Sequence, residues 1–96
     1  MIQVASLNLR NPYLNASGIY SQIPELYKFW QPLGVGALVT KTITFDERMG
    51  YKGRRMVINK EKGYMINRMG LPNPGLQKTI ELLKEYKSKF KTPLIV

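Results

Sequence analysis

The strongest constraint on this chain is an alternation of short apolar runs with amphipathic stretches. Ala37-Leu38-Val39-Thr40-Lys41-Thr42-Ile43-Thr44 is β-branched and apolar through Val39 and polar beyond it, the make-up of a strand covered on both faces. Ahead of it, Ser21 to Gln31 reads as a helix. Ser21 or Gln22 can cap it, Pro24 sits in the first turn, where a missing N–H costs nothing, and Leu26, Tyr27, Phe29, Trp30 and Leu33 supply its apolar face. Gly34 and Gly36 mark its exit. Further on, Gln77 to Phe90 places Ile80, Leu83, Tyr86 or Lys87, and Phe90 near i, i+3/i+4 spacing, and Thr92-Pro93-Leu94-Ile95-Val96 opens a further strand. With the brief extended run Tyr13-Leu14-Asn15-Ala16 placed first, the order is β, α, β, long loop, α, β. Two strand–helix–strand units predict parallel strands joined by right-handed crossovers, an α/β architecture of about three strands.

Two segments stand outside that alternation. Gln3 to Leu9 alternates loosely and reads as a short strand pair or edge ribbon, closed by Asn11-Pro12. Phe45 to Pro74 has no helical period, is punctuated by Gly50, Gly53, Gly63, Gly70 and Pro72, and holds Met56, Val57, Ile58, Met65 and Ile66, which predict order in the form of a small hairpin. Loops of this length in a compact domain are commonly functional. No repeat or low-complexity segment is present.

The residues missing from the composition narrow the chemistry. The 96 residues contain no Cys and no His. A Ser-His-Asp triad, a thiolate nucleophile, a disulfide and a Cys/His metal site are therefore excluded within this chain, and no metal site is expected. Chemistry must rest on Lys, Tyr, a carboxylate or a bound cofactor. Fifteen Lys and Arg against six Asp and Glu give a net charge of +9, which suits an anionic ligand, nucleic acid or a solvated lysine-rich surface. No apolar run reaches the ~18–20 residues of a membrane span, and the N-terminus lacks the pattern of a secretory signal, so a cytoplasmic protein is expected.

Ligands of parallel α/β folds bind at the C-terminal ends of the strands. Three polar clusters fall there: Asn15-Ala16-Ser17-Gly18, Thr40-Lys41-Thr42, and the run from Ile66 to Gly75. Lys41, at the end of a buried strand, either points its ammonium into a cleft toward an anion or snorkels to solvent. Asn67 carries donors and an acceptor suited to a planar heterocycle, or simply makes a turn. Ser17 is a ligand donor or a turn residue, and Gly18 and Gly70 permit close approach. The basic residues Arg48, Lys52, Arg54, Arg55, Lys60, Lys62 and Arg68 either grip phosphates or form a solvated loop.

Taken in order, Asn11-Pro12, Asn15-Ala16-Ser17-Gly18, Val39-Thr40-Lys41-Thr42-Ile43-Thr44, Arg48-x-Gly50 with Arg55, and Asn67-x-Met69-Gly70-Leu71-Pro72-Asn73-Pro74-Gly75 resemble the N-terminal part of class 1 dihydroorotate dehydrogenases. The resemblance runs from residue 3 to residue 96. It implies a TIM (β/α)8 barrel with a short N-terminal β ribbon, holding FMN and oxidising dihydroorotate to orotate in de novo pyrimidine biosynthesis. By motif, Ala16, Ser17, Gly18, Lys41 and Thr42 would bind FMN. Lys41, Asn67, Arg68, Met69, Gly70 and Leu71 would bind dihydroorotate or orotate, Arg68 through its backbone. Lys41 would stabilise negative charge on the reduced flavin and attract the substrate carboxylate, and Arg55 would brace the long loop. The run Gly50-Tyr51-Lys52-Gly53-Arg54-Arg55 departs from the family's usual Gly-Asn-Pro and Pro-Arg pattern, which implies a differently shaped rim. The Asn67–Gly75 run mixes features of the fumarate-linked and NAD-linked subclasses and does not assign the electron acceptor.

A complete barrel takes about 250 residues and eight strands. The whole of residues 1–96 is thus expected to be the N-terminal part of one FMN-binding barrel domain, with no complete second domain. The catalytic base, a Cys or Ser in the family, is expected beyond residue 96, so the isolated chain should be inactive. A truncated product or one piece of a split enzyme is implied, with the rest of the barrel or a second chain, and an electron acceptor or electron-transfer subunit, as partners in a homo- or hetero-oligomer without membrane attachment. The rival readings are a related FMN barrel, of the dihydropyrimidine dehydrogenase or dihydrouridine synthase kind, and a small basic nucleic-acid-binding module.

Overall fold

The computed structural model describes residues 1–18 and 20–96. An N-terminal ribbon pairs β1 (Ile2–Val4) with β2 (Leu7–Leu9) antiparallel, Ile2 opposite Leu9 and Val4 opposite Leu7. Leu9 is its buried residue, which is the alternation expected when one face of a ribbon packs inward.

The first helix begins at Ile23, with Gln22 at the N-cap, where its backbone N–H donates to Glu25 Oε1 at 3.2 Å. Ser21, the other cap candidate, turns instead toward Gly18. The helix (α1) is composite. An α turn at Ile23–Glu25 passes into a π-helical stretch at Leu26–Trp30 and a 3-10 turn at Gln31–Leu33, and Gly34, at φ +81°, ends it in the left-handed conformation that favours glycine.

The third strand, β3 (Leu38–Val39), runs parallel to β6 (Leu94–Ile95), Leu38 opposite Leu94 and Val39 opposite Ile95. The ladder continues at Thr40, whose N–H donates to Ile95 O at 2.9 Å. Polar Lys41 to Thr44, expected to extend the strand, lie outside it, since the paired segment reaches only Ile95. On the other side of β3, the expected first strand is a single parallel bridge from Leu14 to Ala37. Asn15 then takes over the pairing with its side chain. Its Oδ1 accepts from Val39 N at 2.7 Å and its Nδ2 donates to Val39 O at 2.8 Å, so the amide does what a strand's peptide group would do.

The long segment folds as an antiparallel hairpin of β4 (Met56–Asn59) and β5 (Tyr64–Asn67), Met56 opposite Asn67 and Ile58 opposite Met65. The second helix, α2, spans Leu76–Tyr86, starting one residue before and stopping four residues short of the expected range. Gly75 at φ +85° sets its start, and after Tyr86 the Lys89 N–H turns back to Tyr86 O. Ile23, Leu26, Leu38 and Tyr86 form the buried core, flanked by Tyr27, Trp30, Val35, Leu82, Leu83, Phe90 and Leu94. The two helices therefore cover one side of the β3–β6 pair, and the strand ends open beside the hairpin.

Candidate functional site

Three segments converge at the C-terminal end of β3. Ser17 and Gly18 come from the loop before α1. That loop is fixed by Ser21, a fully buried residue whose hydroxyl bonds the Gly18 carbonyl and accepts from Gly18 N at 2.9 Å. Ser21 O in turn accepts from Lys41 N at 2.9 Å, so one residue ties the glycine loop to the strand end. Gly18 sits at φ +134°, and a Cβ built on it meets no atom within 4 Å. The open side of that glycine offers room to a ligand rather than to a neighbouring segment.

The third contribution comes from β5 and the turn after it. Alternation along an extended backbone puts Met65, Asn67 and Met69 on one side, and Met56 joins them across the hairpin, opposite Asn67. The edge is locked in place by close backbone packing. A Cβ on Gly70, at φ +77°, would lie 2.5 Å from Tyr51 N, and one on Gly50 would lie 2.6 Å from Met69 O. Tyr51 N donates to Met69 O at 2.9 Å and Arg48 Nε to Gly70 O at 3.1 Å. Gly70 is thus a residue of close backbone approach, with the approach made to the Gly50–Tyr51 backbone. Arg55 braces this loop as expected, donating to Tyr51 O at 2.8 Å and Met49 O at 2.6 Å.

Together these segments enclose a cleft of about 610 Å³ lined by Ser17, Gly18, Lys41, Thr42, Met56, Met65, Asn67, Arg68, Met69, Gly70 and Leu71. It adjoins a second hollow of about 450 Å³ that shares Ser17, Lys41 and Thr42 and reaches Ile95 and Val96. Of the ten site residues singled out in the sequence, nine line the first cleft. Ala16 does not, and its carbonyl accepts from Asn15 Nδ2 at 3.2 Å. Among the described residues, the side chains of Ser17, Lys41, Thr42 and Asn67 have no hydrogen-bond partner, and the ion pair present is Lys78–Glu81, remote from the cleft. Lys41 is half-buried, and no carboxylate lines the cleft with it. The arrangement offers the unpartnered Lys41 ammonium, two hydroxyls and an amide above a thioether-rich floor, with Arg68 also in the wall, a donor set for a planar, anionic, partly apolar ligand.

Two kinds of residue escape a reading of the sequence alone. Met56 and Met65 stand out there only as apolar residues favouring order, although the spacing of Met65, Asn67 and Met69 carries the alternation that faces them to the cleft. Asn73 is buried and organises the long segment. Its Nδ2 donates to Thr44 Oγ1 and Leu71 O, both at 2.9 Å, its Oδ1 accepts from Gly75 N at 2.9 Å, and its backbone pairs with Arg48 in both directions at 3.0 Å.

An open cationic cleft at the C-terminal ends of parallel strands is the ligand-binding end of an α/β protein. The family model for dihydroorotate dehydrogenase matches residues 1–96, and the chain belongs to that family. It is 40% identical over 96 residues to the dihydroorotate dehydrogenase B (NAD(+)) catalytic subunit of Thermococcus kodakarensis and 38% identical to that of Pyrococcus abyssi, in each case over 99% of this chain and 30% of the relative. The catalytic subunit of the same name from a Geobacillus species is 33% identical over 94 residues, 98% of this chain and 29% of the relative. The chain spans about 30% of the length of these relatives. No described helix is long and apolar enough to cross a membrane.

Proposed function

We propose that residues 1–96 are the N-terminal part of an FMN-binding (β/α)8 barrel that oxidises dihydroorotate to orotate for pyrimidine synthesis in the cytoplasm. One observation carries this reading: residues from the loop before α1, the end of β3 and the end of β5, separated by up to 54 positions from Ser17 to Leu71, line a single cleft that contains Lys41 and no carboxylate. Membership of the dihydroorotate dehydrogenase family supports the substrate.

The residues present fit FMN. Gly18 leaves open space on its cleft side, and Ser17, Lys41 and Thr42 bring two hydroxyls and an ammonium with no internal partner to the same wall. When bound, FMN supplies the hydride acceptor. Lys41 holds positive charge where both the substrate carboxylate and electron-rich flavin edge would lie, and a half-buried ammonium acts there more strongly than one in bulk water. Asn67 orients the pyrimidine edge through its amide, with Met69, Gly70 and Leu71 alongside. Met56, Met65 and Met69 exclude water from the reacting face. The base that takes the C5 proton, a Cys or Ser by the family resemblance, and the remaining barrel strands would belong to polypeptide outside these residues. Electrons would leave through a partner subunit. The relatives' name, catalytic subunit of an NAD(+)-linked enzyme, supports that assignment.

The test is spectroscopic. Protein isolated with the polypeptide that completes the barrel should carry flavin absorbance that dihydroorotate bleaches, and Lys41→Ala should remove the bleaching. The 96-residue chain with added FMN should show no steady turnover. Flavin-free protein, or flavin left oxidised by dihydroorotate, ends this reading.

A further inference from the structure

Arg68 lines the cleft between Asn67 and Met69, and its guanidinium is held by Tyr51. Its Cζ sits 4.8 Å over the centroid of the Tyr51 ring and its Nη1 donates to Tyr51 Oη at 3.1 Å. Tyr51 is not a lining residue of the cleft. The same two residues are joined to the opposite segment through their backbones: Tyr51 N donates to Met69 O at 2.9 Å and Arg68 N to Arg55 O at 2.7 Å. Arg55 closes the ring of bonds by donating to Tyr51 O at 2.8 Å. Two backbone bonds, one side-chain bond and one cation–π stack therefore clamp residues 51–55 against residues 68–69.

We infer that Tyr51 and Arg68 form a clasp that positions the Asn67–Met69 edge for the pyrimidine ligand and holds the Arg68 cation in one place at the cleft wall. The inference rests on the functional reading above and deepens it. First, β5 is an exposed edge of a two-stranded hairpin, and such hairpins are marginal in water without outside support. The clasp supplies support at the end of β5 that carries Asn67. Second, an arginine flanked on both sides by ligand-facing residues would, if unpinned, bring a second mobile cation to the cleft mouth beside Lys41. Stacking on Tyr51 instead holds it fixed just beyond the end of β5. Both are positioning residues, because they act through Asn67 and Met69.

Two measurements separate this role from general stabilisation. In the ligand-free chain, amide hydrogen exchange of residues 67–71 should quicken in Tyr51→Leu and Arg68→Ala while that of α2 is unchanged. In the flavin-loaded enzyme, each variant should raise KM for dihydroorotate and the dissociation constant of orotate roughly twofold to fivefold, the size of an exposed cation–π contact, with kcat near wild type. Tyr51→Phe, which keeps the ring and loses only the hydroxyl, should recover most of the affinity. The double variant should be no worse than the poorer single one, since both remove one interaction. Unchanged exchange overturns the clasp. Faster exchange with unchanged orotate affinity overturns its positioning role. Failure of the wild-type protein to bind orotate overturns the functional reading itself, and the exchange result then still reports on the clasp alone.

Discussion

Two halves of the molecule are held together by different forces. Around β3 and β6, the two helices bury Ile23, Leu26, Leu38 and Tyr86, with Leu26 and Leu38 at 0% exposure. From Phe45 to Gly75 no comparable apolar centre exists among the described residues. Ile58, Met65 and Ile66 are each about 60% exposed, and order comes from backbone bonds, from the Asn73 amide, and from Arg48, Arg55 and Arg68 laid across the turns. The first half obtains stability from area removed from water, which tolerates small shifts. The second obtains definition from directional bonds, which fix a few atoms closely and contribute little net energy each. The cleft lies where they meet, Lys41 offered by the rigid half and Asn67 by the bonded half.

Substitutions can break this contrast in order of size. Leu26→Ala, in the apolar core, should cost about 2–5 kcal/mol, read as a lowered urea midpoint. A cost below the range would show that the core is less tightly packed than its burial implies. Next comes the Asn15 amide, which serves the core half with a directional bond. Asn15→Ala leaves the Val39 N–H and carbonyl unpartnered, and should cost about 1–3 kcal/mol. Gly70→Ala should cost about 1–3 kcal/mol, because the residue is at positive φ and its Cβ meets the Tyr51 backbone. Its effect should appear as easier proteolysis between residues 45 and 75, with α2 still protected. A loss of protection spread evenly over the chain would erase the distinction between the halves.

The smallest stability changes should fall at the exposed positions. Ile66→Ser should shift stability by no more than about 0.5 kcal/mol, and a larger loss by urea unfolding would mean that the hairpin is covered in solution. Lys41→Gln should likewise be within about 0.5 kcal/mol, since no group in the described residues bonds its ammonium. Orotate binding by the flavin-loaded protein should nevertheless collapse in Lys41→Gln. Retained affinity there would remove Lys41 from the site while leaving the fold description intact.

Much of the architecture could be read before any coordinate. The Gln3–Leu9 ribbon, the first helix with Pro24 in its first turn, the amphipathic second helix, the parallel pairing around Leu38-Val39 and the hairpin around Val57 and Ile66 all follow from periodicity and turn chemistry. These signals are local, so they survive without knowledge of the rest of the chain. The boundaries do not follow in the same way. β3 ends near Thr40 rather than Thr44 because pairing depends on a partner 55 residues away, Ile95 for Thr40. The π-helical stretch at Leu26–Trp30 has no sequence signature that distinguishes it from an ordinary turn of helix.

The site divides along the same line. Residue types at the strand ends, the absence of His and Cys among them, and a motif order matching the dihydroorotate dehydrogenases are all properties of the linear chain. Folding alone sets Ala16 outside the cleft, brings Met56 and Met65 into it, and turns Gly70 to the Gly50–Tyr51 backbone. The same closure makes Asn15 and Asn73 act as pieces of backbone and lays Arg68 on Tyr51. The reason is the range of the forces involved. Periodicity and capping act over a few residues, whereas the direction of a side-chain amide or guanidinium is set by whichever distant group it meets once the chain has closed.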